Sequence, residues 1–495
     1  MKAMSDTSPS KTSNGKTMKT LLLAASLALG AGSGLWAQTP TPPPLSIDDA
    51  VKAALATDPG VESANWDWLA AASKADAAWM RMFPSLTASA SYQRLSELPA
   101  ASFSMANPFG PVPPVITFSF PSGLPDIWTL SVNMQYPLFA GFRIREAANI
   151  ASLTSQTKLV TLEMTKRALA FDVRRAYWEA VRAAANVETL KKNLDLSVSK
   201  QKLIKDQAAV GAATQADLLS ADQDVKKAEM ALADAISVQK LRMLALASMT
   251  GKNAVDLDLG TTEDDALKLF TLSSKAEGPV AFDPGTDLDE KKMIEAALSK
   301  RPETRLSSLG VETAEHAAGL ARAPLYPTLA VTGNFTYADP NQRVPFQTDP
   351  TVFTGTWALG VALSFDLGGL PANINESLAA DKALAKARSD ALKAGKSVIL
   401  DVQTCILNFN RARQDLELVK GMVAQAAENA RVMAQRRSAG TASSVEQLQA
   451  DVALLQANFA VTNCDINLRI AAADLSRALA SEDSIVPTVP GPAAP

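Results

Sequence analysis

The hydrophobic pattern of the chain switches between two periods, and it does so twice. From Ser85 to Gln93, Leu86, Ala88, Ala90 and Tyr92 alternate with Ser85, Thr87, Ser89, Ser91 and Gln93. Trp128, Leu130, Val132, Met134, Tyr136 and Leu138 alternate in the same way with Thr129, Ser131, Asn133 and Gln135. Later in the chain Leu329, Val331, Phe335 and Tyr337 oppose Thr328, Thr332, Asn334 and Thr336, and Trp357, Leu359, Val361, Leu363, Phe365 and Leu367 oppose Ala358, Gly360, Ala362, Ser364 and Asp366. A period of two predicts strands over about 85–93, 128–138, 328–337 and 357–367.

Each strand pair is followed by a very long helical stretch. From Phe142 to Val210 there is neither Gly nor Pro, a run of about 69 residues that spans roughly 100 Å as a helix. The matching stretch from Ala372 to Ala439 has no Pro, and Gly395 and Gly421 are expected to mark bends. Globular helices typically run about 8 to 20 residues, so these read as coiled-coil elements. Beyond Gly211, the residues Leu218, Ala221, Val225, Ala228, Leu232 and Ala235 make a sustained seam of alternating three- and four-residue steps, with Ala450, Leu454, Ala457, Val461 and Cys464 beyond Gly440 in the same places.

The two halves are copies of one another. Met82 to Leu86 is answered by Leu325 to Leu329 at an offset of 243 (327 minus 84), and Trp128, Tyr136, Gly211 and Ala221 by Trp357, Phe365, Gly440 and Ala450 at an offset of 229 (440 minus 211). The offset changes between Tyr92 and Trp128, so the copies differ by one loop length there. The expected organisation is a signal segment over 1–37, a first repeat over 38–250 with its hairpin at about 142–250, and a connector over 251–287. A second repeat then covers 288–480, with its hairpin at about 372–480, and a Pro- and Ala-rich tail covers 481–495.

Composition narrows the function. Lys16 and Lys19 followed by the apolar run Leu21 to Gly30 and by Leu35-Trp36-Ala37 read as an export signal cleaved after Ala37, with Met18 as an alternative start. No Cys lies near that site, which argues against lipidation. No run of about twenty apolar residues follows, so any membrane role would fall to strands. With 48 Lys and Arg against 51 Asp and Glu there is no basic excess, and nucleic acid is not an expected partner. In an antiparallel hairpin Cys405 and Cys464 would be offset by roughly 11 residues, about 16 Å, too far for a disulfide. Cys464 matches Ala235 and reads as a small apolar filler.

The strands match the apolar-out, polar-in pattern of an outer-membrane barrel, with Tyr92, Trp128, Tyr136, Tyr337, Trp357 and Phe365 placed as interfacial girdles. The segments 94–127 and 338–356 between strands read as external loops. Four strands cannot close a barrel, because single-chain barrels begin at about eight. Several chains must therefore pool their strands. At the helical turns, Val210, Gly211, Ala212, Ala213 and Thr214 are matched by Ala439, Gly440, Thr441, Ala442 and Ser443. Gly past a helix end, a hydroxyl cap at Thr214 or Ser443, and Asp217 or Glu446 three residues on spell a capping box. The same carboxylates would form a ring if copies assemble about an axis.

Taken in order and twice over, these features resemble the TolC family of outer-membrane efflux proteins. The resemblance rests on Phe83 to Leu86 and Tyr326 to Leu329, on Tyr136 to Gly141, on Ala176-Tyr177-Trp178-Glu179 and on the two Gly-centred tips. It implies an α+β membrane protein, a homotrimer whose shared twelve-stranded barrel continues into a periplasmic helical barrel. It also implies a passive exit duct through outer-membrane lipid, driven through a periplasmic adaptor by an inner-membrane pump or ABC transporter. The tips would meet the adaptor, and carboxylates just past the second tip would constrict the entrance. Glu446 matches the first acidic position of that constriction; Gln449 and Ala442 stand where some relatives carry a second acid and a basic tether.

Two other classes compete. An enzyme finds little support, since the sole histidine, His316, lies in an Ala-rich helical stretch and no catalytic triad, zinc spacing or phosphate loop is present; no cofactor or metal is expected. A periplasmic coiled-coil adaptor or structural protein would carry one hairpin among small β domains, not two hairpins and four membrane-type strands. Fractionation separates these readings: the mature protein should stay in outer membranes until detergent is added, and release as a soluble monomer would exclude the strands from lipid.

Overall fold

The structure is a computed structural model that describes residues 46–96, 101–110, 112–120, 126–251, 289–339, 341, 343 and 352–481. The expected signal segment, connector and tail lie outside these residues, boundary positions apart. In chain order the elements are α1 (Ile47–Thr57), α2 (Pro59–Met80), β1 (Ser85–Arg94), β2 (Ala101–Ala106), β3 (Val115–Phe120) and β4 (Asp126–Ala140), then α3 (Arg143–Ala209) and α4 (Gln215–Thr250). The second copy contributes α5 (Glu290–Lys300), α6 (Pro302–Arg322), β5 (Thr328–Asp339), β6 (Thr354–Ser364), α7 (Leu370–Ser438) and α8 (Ser444–Ala478).

Local chemistry sets most boundaries. Ser46 and Asp58 accept the amides of Asp49 and Val61 as side-chain caps of α1 and α2, and Pro59 opens α2 where its missing N–H costs nothing. Gly395 and Gly421, where bends are expected, both lie within the continuous helix α7. The long helices are held by tertiary packing rather than propensity. Ala50, Val51 and Ala54 of α1 join Val173, Tyr177, Leu246 and Ile466 in one core; Ala297 of α5 joins Val402, Phe409, Leu475 and Ala478 in its counterpart. Burial follows the repeat, with Ala148, Val173, Tyr177, Ala180, Ala183 and Val187 matched by Ser377, Val402, Ile406, Phe409, Ala412 and Leu416, all buried at the single offset of 229 (402 minus 173). Across the halves, Arg469 lies 4.9 Å over the Trp178 ring, Arg477 lies 5.4 Å over Phe171, and Arg182 donates to Asn467 at 2.6 Å.

Four strands form one antiparallel sheet in the order β1-β4-β5-β6. Register pairs Ala88 with Val132, Val132 with Phe335, and Phe335 with Trp357, so the apolar sets of all four strands share one face. The polar sets share the other, where Ser89 and Ser131 hydroxyls lie 2.8 Å apart and Asn334 donates to Asn133 at 2.7 Å. Three features refine the expected strands and loops. The last strand runs from Thr354 to Ser364, three residues earlier than its alternation suggests, because Ser364 meets the first residue of β5 and Pro327 before it has no N–H to extend the ladder. A bulge between Pro137 and Phe139 brings Phe139, not Leu138, opposite Leu329. The segment 94–127, expected as an external loop, contains the β2–β3 hairpin, with Phe103 opposite Phe118 and Ser104 hydrogen-bonded to Thr117.

The cysteines are free. Cys405 lies in the second core, where burial pushes its thiol up to about 12. Cys464 is half-buried beside a cavity of about 240 Å³ that Asn467, Ile470 and Asp474 also line.

The sheet turns into α3 through two successive left-handed residues, Gly141 at φ 60° and Phe142 at φ 67°. Phe142 tolerates that backbone inside a cluster of edge-to-face rings, with Phe139 at 5.4 Å and Tyr326 at 6.0 Å. A Cβ on residue 141 would collide with the Ala323 carbonyl oxygen. Gly141→Ala should therefore cost about 1–2 kcal/mol for the backbone plus about 1–3 kcal/mol for overpacking, read as a lowered unfolding midpoint in detergent. An unchanged midpoint would show that the corner relaxes freely.

Candidate functional site

Two regions are built for contact with something beyond the chain: the sheet and the helical tips. Along β4, Trp128 and Phe139 lie eleven residues apart, about 36 Å at 3.3 Å per residue and roughly 28 Å once tilted as barrel strands are. That matches the apolar band of an outer-membrane barrel. Tyr92 packs on Trp128 at 4.5 Å between ring centroids, and Tyr337 stacks on Phe353 at 5.2 Å, so four rings gather at the loop end of the sheet. Trp357 sits opposite Phe335 two rungs inward and is 76% exposed. Tyr136, Phe139, Phe142 and Tyr326 lie at the helical end. Phe365 falls just past β6 and is exposed there. Phe353, Phe139 and Tyr326 were not among the expected girdle residues, because they lie outside the alternating runs or beyond the bulge.

The opposite face is polar and uncharged. From Ser85 to Gln93, Thr129 to Gln135, Thr328 to Thr336 and Thr356 to Ser364, the residues on that face are Ser, Thr, Asn, Gln, Ala or Gly. Charge appears only at the strand ends and on the aromatic face, where Arg94 Nη1 lies 3.8 Å from Asp126 and Tyr92 Oη donates to Asp126 at 2.7 Å.

The tips are the second region. Gly211 and Gly440 adopt φ 75° and 73°, the left-handed position that glycine fills without a Cβ penalty. The Ala212 amide donates to Gln207 O at 2.8 Å and the Thr441 amide to Arg436 O at 2.8 Å, both closing Schellman turns. Thr214 and Ser443 then cap α4 and α8 in reciprocal boxes: Thr214 N donates to Asp217 Oδ2 at 2.9 Å and Ser443 N to Glu446 Oε2 at 2.7 Å. Each carboxylate thus sits at the positive end of a helix dipole. Val210 and most of each turn are exposed. Gln449 borders a cavity of about 440 Å³ between α8 and the first hairpin, which it shares with Asn193, Lys200 and Asp224.

The two tips differ in charge. Arg436 and Arg437 end α7, with Arg436 donating to Thr441 O at 3.2 Å and Arg437 to Gln447 at 2.8 Å; Gln207 and Ala208 hold those places in the first copy. These arginines were absent from the sequence-derived site, although a basic pair in the last turn of a helix is a readable signal. Among the described residues no group of three or more His, Cys, Asp or Glu could hold a metal ion, and no helix is long and apolar enough to cross a membrane.

A profile of the outer membrane efflux protein family matches residues 50–252 and 293–481, and the chain belongs to that family. Its members are trimeric outer-membrane channels of tripartite pumps, so this chain is an outer-membrane efflux channel that extends into the periplasm. Solved structures share the fold at low identity. A membrane protein from Pseudomonas aeruginosa superposes with a TM-score of 0.69 at 17% identity, covering 88% of this chain and 90% of its own. The outer membrane protein VceC of Vibrio cholerae gives 0.66 at 19%, covering 88% and 95%, and the CmeC outer membrane channel of Campylobacter jejuni gives 0.67 at 15%, covering 88% and 86%. Comparison with curated protein sequences finds no significant match.

Hydrogen bonds from Thr214 hold the Asp217 carboxyl below its ordinary range, and the Ser443 amide and hydroxyl, with Arg436 nearby, do the same for Glu446. A carboxyl lowered on folding stabilises above its unfolded value and loses that contribution as pH falls through the folded one. Hydrogen exchange at the Thr214 and Ser443 amides, relative to intrinsic rates, should therefore stay slow as pH falls through about 4 and quicken only below. Acceleration already at the ordinary value would show that the boxes do not hold the carboxylates.

Proposed function

We propose that a homotrimer of this chain is the passive exit duct of a tripartite efflux or type I secretion assembly. A periplasmic adaptor contacts its tips at Val210–Thr214 and Ala439–Ser443, and an inner-membrane pump or ABC transporter supplies the energy. The observation that carries this reading is the continuity of an uncharged polar sheet face with helices of 67 and 69 residues, each about 100 Å long. A wide path lined by hydroxyl and amide groups holds no solute in a specific pocket, so selection falls to the periplasmic end. There Asp217, Glu446 and Gln449 form the constriction, and the carboxylates at the helix N-termini give it a preference for cations. The aromatic rows at either end of the sheet fix its depth in the outer membrane.

Purified protein in planar bilayers should conduct weakly with cation preference, and Glu446→Gln should reduce that preference while leaving the barrel unchanged. Unaltered ion selectivity would remove Glu446 from the constriction.

A further inference from the structure

The repeat places two different chemistries at one depth of the sheet. Arg94 pairs with Asp126 across β1 and β4, the next pair outward from Tyr92 and Trp128 on the same apolar face. The offsets of 243 and 229 carry these positions onto Tyr337 (337 minus 94) and Gly355 (355 minus 126), which pair with each other across β5 and β6. There the second copy completes its girdle, with Tyr337 stacked on Phe353. The first copy sets an ion pair on the equivalent rung. Arg94 is the only cation between residues 94 and 126, and its side chain is 71% exposed. Asp126 accepts from Tyr92 Oη at 2.7 Å, whereas Arg94 Nη1 stands 3.8 Å from it, beyond hydrogen-bond reach. The guanidinium, with five N–H donors in a planar fork, thus keeps donors for an oxyanion. An exposed ion pair this loose contributes little to stability, so stability does not account for a charge on the lipid-facing side.

We propose that Arg94 and the rings beside it bind a phosphorylated glycolipid of the outer leaflet, one per chain. A residue pair advances about 7 Å along a strand, which lifts Arg94 from the girdle at Tyr92 and Trp128 into the headgroup layer. Each group meets a different part of the ligand. The guanidinium takes a phosphate in the bidentate geometry that favours Arg over Lys. The Tyr92 and Trp128 rings, 4.5 Å apart and 49% and 51% exposed, give the acyl chains an apolar bed. Asp126, and Asp339 opposite Trp128 on the same face, repel a bare phosphate and accept from hydroxyls, which suits a sugar headgroup that carries its phosphate to one side. In the closed channel these charged sectors alternate with the ringed sectors of the second copy, so lipid contacts at the outer interface alternate as well. The proposal goes beyond the duct's own function and rests on the outer-membrane placement of the strands.

The test is native mass spectrometry of the full chain, purified in detergent and offered lipid A. The unaltered protein should retain one lipid A per chain, and dephosphorylated lipid A should bind roughly tenfold more weakly, as loss of hydrogen bonds to a charged group implies. Arg94→Gln should weaken lipid A to the same degree and leave the dephosphorylated form unchanged, while Arg94→Lys should fall between. Equal retention of the two lipids by the unaltered protein overturns the proposal without any variant having to fold. Equal retention of lipid A by Arg94→Gln and the unaltered protein overturns it too. Millimolar inorganic phosphate should not displace the lipid, since the rings supply much of the contact; displacement would reduce the site to a lone anion contact and also overturn the lipid assignment. Release of the protein from membranes without detergent would instead remove the outer-membrane reading itself.

Discussion

A backbone amide has no water to turn to inside a bilayer, and that constraint governs the rest of this molecule. An unsatisfied group there costs several kcal/mol, yet the sheet of four strands has two free edges, at β1 and β6. One chain cannot close it. The polar face would also be useless in lipid unless it enclosed water, so closure and conduction answer the same requirement. The apolar face carries its rings at both ends and smaller side chains between them, which is how a strand bundle is held at a fixed depth without a transmembrane helix.

Beneath the sheet, length is obtained by tertiary packing rather than by helix propensity. Alanines at Ala221, Ala228 and Ala235 let the paired helices approach closely, and α1 and α5 plug the two halves at equivalent places. The equivalence stops at chemistry. Where the first half caps α2 with Asp58, the second places Arg301, which is 5% exposed and bridges Glu303 and Asp401 at 2.9 and 2.6 Å. Removing either carboxylate leaves a buried guanidinium short of a partner, so the two halves answer differently to matched substitutions.

Much of this was legible because it depends on periodicity. Alternation identified four strands and the face each residue takes, and hydrogen-bonding register then aligned those faces everywhere but at the Pro137 bulge. The tips were readable for a similar reason, since Gly211, Thr214 and Asp217 act within a few residues of each other. What escaped depends on partners distant in sequence. The end of β6 is set by Pro327, more than thirty residues earlier, and the Pro137 bulge by β5. The β2–β3 hairpin was hidden by the Pro- and Ser-rich composition around it, although Phe103 and Met105 alternate with Ser102 and Ser104.

The Schellman turns and capping boxes at the tips draw every hydrogen bond they need from residues of the same turn. Each tip is therefore a stiff knuckle whose shape is set within its own turn and does not depend on how the long helices above it pack against their neighbours.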